Sequence, residues 1–236
     1  MSSKVILCFT VILIIISSTF AREKITPERQ KSIIEKIRKL QNKQYLKYWG
    51  YKISLVEETS EYNSKTGKLL KKNKVEMTKK IPLYGKATIL NVKKYIINGT
   101  RKPIDEFKPR DETVFYNAFD KNGHRYYKIR IKGLKKINNT LCYAVNIIPL
   151  NNTKKHLRAT LYYSKKYLRL LEMDATPAKL DFGVKKICIK VKFKPFNDID
   201  LPVKTYVRVF VDVFLFYPNR KLIITSSALE HNLINN

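Results

Sequence analysis

The feature that most constrains the fold is the alternation of apolar and basic residues in KKICIKVKFK, residues 185–194. From position 186 onward every even position is lysine or cysteine, and every odd position is isoleucine, valine or phenylalanine. Successive side chains of a strand point to opposite faces, so a period of two is typical of a β-strand. The segment therefore predicts a strand with one apolar face, which meets a protein core or a lipid, and one cationic face, which meets water, nucleic acid or an anionic membrane.

Strand and turn signals recur along most of the chain. The segments 63–67 (NSKTG) and 98–99 (NG) contain residue types that close β-hairpins. Because consecutive strands with short connections pair as neighbours, the pattern favours an antiparallel meander, with 101–112 as a long loop or a short helix. The predicted strands are 51–62, 70–79, 86–97, 125–132, 141–148, 157–164, 167–173, 184–194, 203–216 and 221–227.

One helix is predicted at 27–48, ahead of the strands. Thr26 is a favourable N-cap residue, Pro27 suits the first helical position, and Glu28 lies at the positive end of the helix dipole. Gly50 is expected to end the helix. Within the helix, apolar residues recur at spacings of three and four and form one stripe: Ile33, Ile34, Ile37 and Leu40. The chain has no internal repeat and no low-complexity linker, so we expect a single domain in which a sheet curls around this helix.

The N-terminus has the layout of a secretory signal peptide. A short basic head is followed by an apolar run from Val5 to Phe20 and then by charged residues. Cleavage is predicted after Ala21, so that residues 1–21 are the signal peptide and residues 22–236 form the mature domain. The alternative is an uncleaved anchor, although the run is shorter than the roughly 20 residues that span a bilayer. We therefore expect a protein that acts outside the cytoplasm.

The net charge of +29 on 236 residues, with a pI near 10.0, is typical of nucleic-acid-binding proteins. Two observations weigh against that partner. The chain is also rich in asparagine, isoleucine and tyrosine, so codon bias in an AT-rich genome accounts for part of the lysine content. The export signal separates the mature protein from cytoplasmic nucleic acid. No nucleic-acid partner is therefore predicted.

No catalytic or metal-binding motif is present in the sequence. None of the three histidines, His124, His156 and His231, lies near a second histidine or a cysteine at metal-ligand spacing. P-loop, Gly-x-Ser-x-Gly and Gly-x-Gly-x-x-Gly motifs are missing. We therefore predict that the protein is not an enzyme and has no catalytic residues, no metal site and no cofactor.

Removal of the signal peptide leaves two cysteines, Cys142 and Cys188, both within predicted strands. An even number of cysteines in an exported chain permits a disulfide bond. Two buried free thiols are the alternative.

The segment 203–216 has an unusual amount of aliphatic surface, with Val207, Val209, Val211 and Val213 on one face and phenylalanines on the other. A strand that is mostly apolar on both faces must be covered on both faces or must face a lipid. The sequence leaves open whether the covering group is the predicted helix or an acyl chain.

Three stretches of the chain follow a family pattern. Gly133 is followed by INNTLCY at 137–143 and by Pro149, LYYSKKYLR at 161–169 forms a strand, a short turn and a strand, and LP at 201–202 precedes a long strand. In this order, over about residues 28–230, the chain resembles the periplasmic lipoprotein carriers of the LolA type, the outer-membrane lipoprotein-sorting proteins. Where the family usually has a turn glycine, this chain has Asn139, and asparagine tolerates that conformation.

The resemblance implies a mainly β (α+β) fold, in which a strongly curved antiparallel sheet of about ten strands forms a half-open barrel closed by the N-terminal helix. It implies a periplasmic binding protein, exported across the inner membrane, that shelters acyl chains of a lipid or lipoprotein in an apolar cavity. The alternative is a structural or interaction module on the same fold without a ligand. We expect the lysine face of 185–194 to be the outer face, where it is also suited to an anionic membrane surface. The candidate cavity residues are Ile129, Ile131, Ile187, Ile189, Val191, Phe193, Val207, Val209, Val211 and Val213.

Overall fold

The computed structural model describes residues 25–83, 85–110, 114–212 and 219–235, and in these ranges it contains one α-helix and one sheet of eleven strands. The helix is α1 (Pro27–Lys47). Two 3₁₀ helices cover Ile104–Glu106 and Gly123–Arg125. The strands are β1 (Tyr48–Asn63), β2 (Leu69–Pro82), β3 (Thr88–Ile97), β4 (Thr100–Arg101), β5 (Tyr127–Ile137), β6 (Thr140–Pro149), β7 (Leu157–Ser164), β8 (Leu170–Pro177), β9 (Val184–Phe196), β10 (Ile199–Val211) and β11 (Arg220–Asn235).

The strands lie in the order β4-β3-β2-β1-β11-β10-β9-β8-β7-β6-β5, and all neighbouring pairs are antiparallel. Pairing of β1 with β11 joins two meanders into one sheet. Strands β4 and β5 are its two edges, so the sheet is open. The predicted curved antiparallel sheet with an N-terminal helix is therefore confirmed. The additional strand, β4, lies at the start of the stretch 101–112 that was predicted to be a loop or a short helix, and only its second residue falls within it.

The helix begins where the sequence predicts, because the Thr26 Oγ1 accepts a hydrogen bond from the Arg29 N–H at 3.3 Å. The prediction that Gly50 ends the helix is wrong. Gly50 does not cap the helix but lies within β1, where a Cβ atom would come 2.5 Å from the Ile81 carbonyl oxygen. Glycine is therefore needed at this position for the close approach of β1 and β2.

Helix α1 packs on one face of the sheet, which we call the inner face. Ile33 and Ile37 are buried in a core that includes Ile131 of β5, Val145 of β6 and Leu161 of β7. This packing removes Ile33 and Ile37 from water, whereas Leu40, the last residue of the predicted apolar stripe, is 42% exposed.

Three glutamines fix the direction of the helix across the sheet. The Gln30 Oε1 accepts a hydrogen bond from the Ile131 N–H of β5 at 3.2 Å. The Gln41 Nε2 donates to the Tyr163 hydroxyl of β7 at 3.0 Å. The Gln44 Nε2 donates to the carbonyl of residue 198, in the turn between β9 and β10, at 2.8 Å. The helix therefore crosses the inner face from edge strand β5 toward the middle of the sheet.

Strand β9 has the two faces that its sequence predicts. Val191 is buried, and Ile189 and Phe193 pack against the core under α1. The lysines at the alternate positions of this strand are exposed on the opposite, outer face: Lys186, Lys190, Lys192 and Lys194.

One lysine of the outer face has a structural role. The Lys190 Nζ lies 2.7 Å from the Glu172 Oε1, and the Glu172 side chain is only 8% exposed. The hydrogen bond that the Lys190 ammonium donates to the Glu172 carboxylate raises the pKa of Lys190. Loss of one partner of such a pair leaves a buried charge without a counterion, which is strongly destabilising.

A second core lies on the inner face of β1 to β3, beside the half of the sheet that carries α1. It is built around Leu55, Val75, Met77 and Leu201. Phe107, from the segment that follows β4, packs edge-on against the Tyr95 ring of β3 with a centroid separation of 5.4 Å. This part of the inner face is therefore covered by a loop instead of a helix.

We expect Ile189→Glu to destabilise the fold by several kcal/mol, because it places a carboxylate against the core under α1. Lys194→Glu, on the outer face of the same strand, should change the free energy of unfolding by no more than about 0.5 kcal/mol. Lys190 is not a suitable control, because a glutamate there would face Glu172. Denaturant unfolding of both variants checks this expectation, and equal unfolding midpoints would contradict the inner position of Ile189.

Candidate ligand-binding cavity

A cavity of ≈ 410 Å³ lies on the inner face of β1, β2, β3, β10 and β11, under the segment 107–110. Small-molecule pockets in proteins have volumes of about 300–1,000 Å³. The cavity is therefore large enough for a ligand.

The wall of the cavity is largely apolar because alternate residues of its strands point inward. Leu55 of β1 lies opposite Met77 of β2 on one side and Ala228 of β11 on the other. All three line the cavity, which gives a continuous apolar surface across three strands. The other apolar residues that line it include Ile53, Val75, Ile81, Ile89, Tyr95 and Phe107.

Polar groups lie further along β1 and β2 on the same wall. Thr59 is opposite Asn73, two residues beyond the pair of Glu57 and Val75. The Arg110 Nη2 donates a hydrogen bond to the buried Thr59 Oγ1 at 2.5 Å. This bond ties the covering segment to the sheet and places a cation at the cavity.

The arrangement is amphipathic. Apolar side chains line the cavity at Ile53 and Leu55 of β1, whereas a carboxylate, a hydroxyl, an amide and a guanidinium are present around residues 57–59. Three further cations, Lys79, Lys108 and Lys204, also line the cavity. Ligand pockets commonly combine an apolar wall with a few polar groups that orient the ligand.

Only one described residue of the predicted cavity set, Val207, lines this cavity. It lies in a cross-strand row with Thr59 and Ile224 on one side and Ile189 and Ala175 on the other. The row continues the same inner face, but α1 covers it from Ile189 onward.

The other described residues of the predicted set lie nearby on the inner face. Ile131 is buried under α1, and Ile129 and Phe193 pack against the same core. Val191 is buried. The half-buried residues Ile187, Val209 and Val211 lie on β9 and β10, and Val213 lies outside the described residues.

Sequence reasoning missed the wall formed by β1 to β3. The signal was present in the alternation of Tyr51, Ile53 and Leu55 with polar residues, and in Val75 and Met77 on the paired strand. Phe107 and Arg110 carry no periodic signal, because they lie in an irregular segment.

The structure has free thiols at both Cys142 and Cys188. Cys142 lies on β6 and Cys188 on β9, with β7 and β8 between them. Neighbouring strands are about 4.8 Å apart, so the two residues are separated by about 14 Å across the sheet. A disulfide requires Cα atoms within roughly 7 Å, so the disulfide alternative is wrong in this fold.

We expect two reactive thiols in the denatured, unreduced chain that begins at residue 22. In the native protein Cys188, which is half-buried, should label faster than Cys142, which is fully buried and whose thiol pKa is raised by that burial. Timed alkylation followed by mass spectrometry measures both rates. Absence of labelling in the denatured, unreduced chain would show that a disulfide forms.

Within the described ranges, no group of three or more His, Cys, Asp or Glu side chains could hold a metal ion. His156 is buried and packs edge-on against the rings of Tyr116 and Tyr127, with centroid separations of 5.2 and 5.4 Å. Among the residues that the structure describes, no helix is long and apolar enough to cross a bilayer.

No family model and no curated protein sequence matches the chain. Among solved structures, it is similar to a DUF1329 family protein from Desulfovibrio piger, with 12% identity and a TM-score of 0.44 over 87% of this chain and 92% of the other. It is similar to a domain from Vibrio parahaemolyticus described as an outer membrane lipoprotein-sorting protein domain, with 11% identity and a TM-score of 0.40 over 85% and 93%.

A LolA superfamily protein from Nitrosomonas europaea is also similar, with 10% identity and a TM-score of 0.37 over 86% of this chain and 93% of the other. The chain is thus similar to structures of the family that its sequence resembles. Because the TM-scores are below 0.5, these structures carry no argument about the residues or the ligand of this chain.

Proposed function

We propose that this protein binds acyl chains of a lipid or lipoprotein in the cavity formed by β1, β2, β3, β10, β11 and the segment 107–110. The observation that carries the proposal is the continuous apolar wall around Leu55, Met77 and Ala228, with polar groups gathered further along the same strands. Transfer of a methylene group from water to an apolar site is worth about 0.8 kcal/mol. A chain of several methylenes therefore gains enough free energy for useful affinity. On this proposal the protein is a binding protein and not an enzyme.

We further propose that the protein acts in the periplasm after export. The support is the layout of residues 1–21, with a basic head, an apolar run and small residues before the charged segment. An acyl chain exposed to water needs shelter in this compartment, and an apolar cavity supplies it.

An anionic membrane surface is the proposed second partner. Lys186, Lys192 and Lys194 are exposed on the outer face of β9, in a chain whose net charge is +29. Each basic residue near an anionic membrane contributes about 1 kcal/mol of binding. Such a surface would bring the cavity close to the membranes between which a lipid is moved. No nucleic-acid partner is proposed.

We expect Ile224→Trp to weaken acyl-chain binding about tenfold, because the larger side chain occupies the cavity that Ile224 lines. Ile223→Trp is the matched control: it is the adjacent residue of β11 and points to the opposite face. Displacement of a fluorescent fatty acid measures the affinity, and thermal melting verifies that both variants fold. Equal affinities for the two folded variants would contradict binding in this cavity.

The alternative, an interaction module without a ligand, makes a different prediction for the purified protein. If the protein is a carrier, native mass spectrometry after gentle purification should find an adduct with the mass of a lipid. A mass equal to the bare mature chain, with no lipid extractable and no displacement signal, would favour the interaction module.

For export, we expect the mature protein to begin at Arg22. N-terminal sequencing of the protein from the periplasmic fraction checks this cleavage position. Recovery of the intact chain, including residues 1–20, in the membrane fraction would support an uncleaved anchor instead.

A further inference from the structure

One carboxylate in the cavity differs from its neighbours on β1. Glu58, on the outer face, is paired with the ammonium groups of Lys72 and Lys74 at 3.6 and 3.1 Å. Glu61, on the inner face, is paired with Arg220. Glu57 lines the cavity, and among the described residues its carboxylate makes no ion pair and no hydrogen bond.

Among the described residues Glu57 lacks the close ion pair that Glu58 and Glu61 have, although cations such as Lys79 and Arg110 line the same cavity. Lysine and arginine number 48 against 19 aspartate and glutamate residues, so basic side chains are abundant. A half-buried carboxylate next to an apolar wall is unfavourable without a counterion. Glu57 is therefore well placed to accept a cationic group from a ligand.

A second acceptor lies close to Glu57. Asn73 is diagonal to it on β2, because Glu57 is opposite Val75, and such diagonal neighbours are about 7–8 Å apart. The Asn73 Oδ1 is buried and has no donor within hydrogen-bond distance in the described residues. Asn73 is itself one of the residues that line the cavity.

The cations at the cavity suit an anionic group in the same polar head of a ligand as the cationic group that Glu57 would accept. Arg110 is held by Thr59, which is two residues from Glu57. Lys108, in the same covering segment, also lines the cavity. A head group with an ammonium beside a phosphate would thus meet a carboxylate on β1 and a guanidinium on the loop.

We propose that the cavity selects amphiphiles whose polar head carries a primary ammonium group, which donates hydrogen bonds to Glu57 and Asn73. This inference rests on the proposed function, because it assumes that the acyl chain lies along the apolar wall. A primary ammonium has three N–H donors and matches two separate acceptors. A head group without nitrogen loses the ion pair with Glu57, and hydroxyl groups in its place donate only weaker, neutral hydrogen bonds.

The test compares two amphiphiles with the same palmitoyl chain and a phosphate, lysophosphatidylethanolamine and lysophosphatidylglycerol, as competitors of a fluorescent fatty acid. We expect wild-type protein to bind the ethanolamine compound about tenfold more tightly, as a charge-assisted hydrogen bond allows. The basic charge of the protein would favour the more anionic glycerol compound, so the expected preference opposes the non-specific effect.

Glu57→Gln should abolish the preference, since it removes the charge and keeps the shape of the side chain. Glu58→Gln is the matched control, because it removes the same charge from the outer face of the same strand, and it should retain the preference. Thermal melting of both variants verifies folding.

Equal binding of the two compounds to wild-type protein, or a preference that survives in Glu57→Gln, would overturn this inference and leave the proposed acyl-chain binding intact. Failure of both compounds and of the fatty acid to bind wild-type protein would overturn both.

Discussion

The packing of Ile33 and Ile37 against the inner face of the sheet determines how the rest of the molecule is arranged. These two side chains cover the apolar surface of β5 to β7, and the glutamines of α1 fix the crossing direction of the helix. A helix of 21 residues is about 32 Å long, which is less than the width of an eleven-stranded sheet at about 4.8 Å per strand. The inner face of β1 to β3 therefore needs another cover.

The irregular segment before residue 111 supplies part of that cover. Phe107 packs on Tyr95, and Arg110 is held by Thr59, so the segment is attached at two points. Loop backbone cannot fill space as densely as a packed helix, because its polar groups need partners. A cavity remains between the segment and the sheet, and it combines an apolar wall with the carboxylate of Glu57, which makes no ion pair within the described part of the chain.

Local patterns in the sequence were sufficient for the helix and most of the strands. Thr26 and Pro27 marked the start of α1, and the alternation around Ile189 identified both faces of β9. The position of the cavity was not predictable, because it depends on which strands the helix leaves uncovered. Strands alternate in the same way whether or not a helix covers their inner face, so Ile131 under the helix and Leu55 in the cavity wall give the same sequence signal. The role of Gly50 was not predictable for a similar reason, because it depends on how closely β2 approaches β1.

The most direct test of the account is the position of a bound acyl chain. A palmitic acid with a photoreactive diazirine near its methyl end can be cross-linked to the purified protein, and the modified peptides can be identified by mass spectrometry. The account predicts cross-links on the cavity wall, in residues 53–59 of β1, 73–81 of β2 and 224–228 of β11. Cross-links confined to β5 to β8, which α1 covers, or to the lysine face of β9, would contradict it.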